Sequence, residues 1–165
     1  MSYTSLYSIF KTKAVCFKEL RNSYGTGMAV WDYISMKYTG DYFSLYGDVE
    51  NFWLLWKDER LSENERAVLL STYDYFFVET EHLNRFSEAC KDVHRQILEK
   101  TRWSWSHFET IGEEAAAMHK KHDYRCLGLG IGCTSVCDPW ESWKPEQNKP
   151  SGVYDLIEKL LEVLY

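Results

Sequence analysis

Proline is scarce and confined. Its three occurrences, Pro139, Pro145 and Pro150, lie near the C-terminus, so nothing of that kind interrupts a helix earlier in the chain. Long apolar runs are missing as well: residues 52–56 (FWLLW) make the longest of note, far too short to span a bilayer. A basic field is also lacking. Nineteen Lys and Arg stand against 25 Asp and Glu, for a formal net charge of −6 and a pI near 5.4. That balance argues against a nucleic-acid binder, which needs cations to release phosphate counterions. The acids are also too dispersed for a DNA mimic, since residues 1–60 balance seven acids with seven bases. The five cysteines form an odd set, and residues 1–21 carry Lys11, Lys13 and Lys18 where a secretory leader needs an apolar core. Reduced thiols and a cytoplasmic location are therefore expected, with no membrane contact.

What is present is ordinary in amount and unusual in kind. A chain of 165 residues with 45% hydrophobic and 27% charged residues suits one domain over 1–165. The aromatic share is high, with 7 Trp, 12 Tyr and 8 Phe. Such a surplus fills thick helix contacts and leaves rings over for an interface.

Helical periodicity dominates the reading. Ser62 with Glu65 forms a capping-box pattern, followed by Leu69, Tyr73, Phe76, Thr80, Leu83, Phe86, Cys90, Val93 and Ile97 in steps of three and four. This predicts one long helix over 62–100, buried on most sides between Ala67 and Val78 and wet on one face beyond Glu79. Residues 3–21 space Tyr3, Leu6, Tyr7, Phe10, Ala14, Phe17 and Leu20 as an amphipathic helix. A second helix carries Met28, Trp31, Ile34 and Tyr38 and stops at Gly40. A third begins at Asp48 with Val49, Phe52, Trp53 and Trp56, and a Ser106–Glu109 capping box opens another with Phe108, Ile111, Ala115, Met118 and His122. The last, over 153–164, places Val153, Leu156, Ile157, Leu160, Leu161 and Leu164 on one side. Only Cys126-Leu-Gly-Leu-Gly-Ile-Gly-Cys133 alternates with period two, and it predicts a strand or extended segment, with Tyr42 to Tyr46 as a candidate partner. The expected fold is mostly α: a single-domain bundle of about six helices around the 62–100 helix, with at most a small β element near 127–131. A Pro- and Trp-containing loop or arm is expected at 138–152.

Several constellations bear on chemistry. His119, His122, Cys126, Cys133 and Cys137 combine imidazoles and thiols that zinc accepts, although the cysteine spacings are not the paired CxxC of structural zinc sites. Small cysteines beside glycines in a tight place account for the same pattern. Cys133 follows Gly132 in a turn whose amides suit an oxyanion, with His119 or His122 as base; the surrounding residues match no nucleophile elbow. Gly128, Gly130 and Gly132 lack the spacing and following helix of a phosphate loop. Glu79-Thr-Glu-His82 is half of the paired Glu-x-x-His motif that four-helix di-metal sites need.

The tryptophans fit an interface better. Trp140, Glu141, Trp143 and Lys144 lie on the Pro-bounded arm, and Trp is prominent among binding hot spots. The expectation is a non-enzymatic protein that binds a protein partner, with no cofactor. By composition it suits a small acidic inhibitor or adaptor of the phage or mobile-element counter-defence type, and a homo-oligomer stays open. The alternative is a small cysteine/histidine enzyme or zinc protein using Cys133, His119 and His122.

Overall fold

Residues 3–21 form a β-hairpin. In the computed structural model, which describes residues 3–21, 27–43, 55–72 and 76–133, β1 (Tyr3–Phe10) turns at Lys11 and Thr12 into β2 (Lys13–Arg21). Two further strands, β3 (Phe76–Glu79) and β4 (Cys126–Cys133), complete a four-stranded sheet in the order β2-β1-β4-β3, with every pair antiparallel. Among the described residues four α-helices accompany it: α1 (Gly27–Thr39), α2 (Glu63–Leu70), α3 (Leu83–Lys100) and α4 (Phe108–Lys121). The described residues thus make a mixed α/β fold, which overturns both the six-helix bundle and the limit of one small β element.

The 62–100 helix divides at its apolar centre. Ser62 and Glu65 do form the capping box, but α2 lasts only eight residues. Ser71 and Thr72 turn their hydroxyls back onto the carbonyls of Val68 and Leu69, at 2.7 and 2.6 Å, as hydroxyl side chains do where they compete with a helix. Phe76, Phe77 and Val78 then run extended in β3, and a single 3-10 turn, Thr80–His82, leads into α3. A short apolar run rich in aromatic and β-branched residues suits a buried strand as well as a buried helix, and the sheet decides between them. The C-terminal half of the stripe survives: Leu83, Phe86, Cys90, Val93 and Ile97 of α3 are all buried.

Strand alternation sorts the sheet's two faces. Leu6 pairs with Ile131 and Ile131 with Phe76, while Leu129 lies between Ser8 and Val78. Leu6, Phe76, Val78, Leu129 and Ile131 join the buried faces of all four helices in one core. The opposite face pairs Tyr7 and Phe77 with Gly130 and Ile9 with Gly128, and Tyr7, Ile9 and Phe77 form a second cluster. The β4 glycines make room for these side chains. A Cβ on Gly128 would lie 2.0 Å from the Val78 carbonyl oxygen and 2.8 Å from the Phe77 ring. The period-two reading of β4 therefore holds, and its partners among the described residues are β1 and β3; of the expected partner Tyr42 to Tyr46, only Tyr42 and Phe43 are described, and neither is in a strand.

Other expectations meet a mixed outcome. α1 ends as expected, with Gly40 at φ +80° and its N–H on the Met36 carbonyl at 3.2 Å. At α4 the Ser106–Glu109 box does not form; His107 is the N-cap, and Ser106 bonds to His94 at 2.8 Å. Gly112 lets α4 approach α3 closely: a Cβ there would lie 3.0 Å from the Cys90 Cβ, and the Ser87 hydroxyl donates to the Gly112 carbonyl at 2.7 Å. Leu55–Lys57 is one 3-10 turn, while the rest of the expected third helix, the 138–152 arm and the 153–164 helix lie outside the described residues.

Candidate functional site: the loop between the last two helices

The six residues from Arg102 to His107 (RWSWSH) join α3 to α4 and are held at several independent points. Thr101 caps α3: its N–H and hydroxyl both reach the Ile97 carbonyl, at 3.1 and 2.7 Å, and its Oγ1 accepts the Trp103 N–H at 3.1 Å. Trp103 then donates its indole N–H to Asp32 of α1 at 2.8 Å. The Asp32 side chain is 1% exposed, and a buried carboxylate is costly unless its lone pairs are filled. The Phe43 N–H fills the other oxygen at 3.1 Å, and the Arg102 guanidinium stands 3.6 Å away. Asp32 therefore ties α1, the chain after it and this loop into one unit.

The far end is equally fixed. Ser106 is buried and bonded to His94 of α3. His107 Nε2 lies 2.9 Å from the carbonyl oxygen of Arg21 at the end of β2. A carbonyl only accepts, so Nε2 carries the proton in this contact. The His107 ring also meets Trp105 edge-on, with centroids 5.0 Å apart at 74°.

What this scaffold presents outward is aromatic and basic. Trp105 is 43% exposed, and Arg102 stacks its guanidinium over the ring of Tyr42 at 4.4 Å, both side chains reaching solvent. Arg21 and Lys100 add positive charge at the two ends of the loop, on a chain whose net charge is −6. Trp, Tyr and Arg are the residue types that dominate binding hot spots, and rigid anchors lose little freedom on binding.

The residues singled out from the sequence do not gather here. His119 and His122 are exposed in and just after the last turn of α4, with His122 left-handed at φ 45°. Cys126 is buried in β4, and burial raises its thiol pKa, which disfavours the reactive thiolate. Cys16, Cys90 and Cys126 are free thiols. Cys133 ends β4, but its side chain, all of Cys137, and Trp140, Glu141, Trp143 and Lys144 lie outside the described residues. Among the described residues, ligand-type atoms converge at Glu79, Glu81 and His82, within 4.8 Å of one another. That turn sits at the N-terminus of α3, whose dipole repels a cation.

Sequence reasoning passed over the loop because Trp103 and Trp105 fell between two helices and belonged to no periodic pattern. The readable signal was two tryptophans in a short polar connection, one of which must stay outside. No protein-family model matches the chain, and no match was found among curated proteins or solved structures. No helix among the described residues is long and apolar enough to cross a membrane.

Proposed function

We propose that the protein works by binding a protein partner, without catalysis of its own, and that the 102–107 loop is a contact surface. The observation that carries this reading is Trp105, a large exposed ring on a loop pinned through Asp32, His94 and the Arg21 carbonyl. A ring that only filled space would be buried, and a loop serving only as a connection would need no buried carboxylate to hold it. The partner surface that fits is an apolar socket for the indole bordered by a carboxylate for Arg102.

Trp105→Ala tests this directly. The substitution removes a half-exposed side chain that packs on His107, so the midpoint of thermal unfolding should fall only slightly. Affinity for the partner should fall by about 2–4 kcal/mol, as at a hot spot. Unchanged partner binding by a folded Trp105→Ala protein would remove the loop from the interface. The arm expected to bind through Trp140 and Trp143 is tested separately by the Trp140→Ala, Trp143→Ala pair.

A further inference from the structure

β2 is an edge of the sheet: among the described residues it pairs with β1 alone. Its register skips Phe17, so a bulge divides the strand into Lys13 to Cys16 and Lys18 to Arg21. The second stretch is already engaged. Lys18 Nζ is 2.5 Å from Glu114 Oε1 of α4, Leu20 is buried, and the Arg21 carbonyl receives His107. Among the described residues the first stretch is open, with Lys13 and Cys16 exposed and Val15 and Phe17 each 40% exposed. Soluble proteins usually keep apolar side chains off a free edge, because such an edge templates another strand.

We propose that residues 13–17 of β2 form a strand-addition site for an acidic, extended segment of another protein. Charge selects the occupant. The turn and the open stretch, residues 11–17, carry Lys11 and Lys13 and no acid, a local +2 on a chain of −6. Pairing β2 with β2 of a second copy would set this positive hairpin against itself, and like charges across a ladder are destabilising. An acidic strand gains the attraction instead, its backbone adding hydrogen bonds and its apolar side chains meeting Val15 and Phe17. The site is separate from the 102–107 loop, and Trp105→Ala leaves it intact.

The test is a titration of the 15N-labelled full chain with a capped octapeptide alternating Glu and Val. A Lys/Val octapeptide and a Glu/Val octapeptide with a central Pro serve as comparisons. The expected result is chemical-shift change and slowed amide exchange centred on residues 13–17. Binding should be about tenfold weaker for the Lys/Val peptide and lost with Pro, which cannot complete the ladder. Lys13→Glu should weaken Glu/Val binding at least about fivefold with its spectrum otherwise native, and Lys13→Ser serves if that variant misfolds. Equal affinity for both charges, shifts away from β2, no binding of the Glu/Val peptide, or a concentration-dependent dimer paired through β2 would each overturn the proposal.

Discussion

Glu65 joins α2 to α1 through a buried carboxylate. It is buried, yet it accepts from Tyr33 at 2.5 Å, from Lys37 at 2.6 Å and from the Ser62 N–H at 2.7 Å. Burial alone would raise its pKa, but the bonds from Lys37, Tyr33 and Ser62 outweigh it and hold the carboxyl below its ordinary value. Burial and the same carboxylate push the Tyr33 hydroxyl the other way, keeping it a donor. A depressed carboxyl stabilises the fold at pH above its unfolded pKa, and that contribution is lost as pH falls through the folded pKa. Glu65→Gln should therefore flatten the acid limb of a stability-against-pH curve, and Glu65→Ala should cost about 2–4 kcal/mol by urea unfolding near neutral pH. Glycines supply a second contrast. Gly128→Ala drives a methyl into the Val78 carbonyl and should cost more than about 3 kcal/mol, whereas Gly40→Ala meets open space at φ +80° and should cost about 1 kcal/mol.

At the scale of elements, the loop depends on one hydrogen bond that a conservative change can remove. Trp103→Phe keeps the ring and deletes the N–H that Asp32 accepts, leaving a buried carboxylate one partner short. It should destabilise by about 1–3 kcal/mol in urea and slow partner binding, because Trp105 is then less well held. Elements whose pattern was local were legible in the sequence: α1 with its terminal Gly40, the α2 capping box, the buried face of α3, and β4 with its alternating glycines. The hairpin was not. Leu6, Phe10, Phe17 and Leu20 satisfy helical spacing, and the Lys11-Thr12 turn has none of the Gly or Asn that mark a tight hairpin. β3 was hidden for a related reason, since Phe76 continues the helical stripe, Val78 closes the apolar stretch from Ala67, and only pairing with β4 shows them to be a strand. The loop's anchor was invisible too, because Asp32 and Trp103 are far apart in sequence and meet only in three dimensions.

Over the whole molecule, charge is distributed unequally around an ordinary total. The polar face of α3 and its surroundings carry ion pairs such as Arg95 with Asp92 at 2.6 Å and Arg85 with Glu63 at 2.7 Å, all exposed and each worth little. The Arg85–Glu63 pair reaches across to α2 and helps seat α3 against that helix. Arg102 instead stands in the same short loop as the exposed Trp105; under the proposed reading its charge would guide an acidic partner, and capture would weaken as salt rises. The most direct test is quantitative affinity capture from native cells with wild-type protein, Trp105→Ala, and the Trp140→Ala, Trp143→Ala pair, all shown to be folded. A stoichiometric partner held by wild-type protein, lost with Trp105→Ala and weakened by salt is the expected result. A partner held equally by wild-type and Trp105→Ala would contradict a binding surface at the loop.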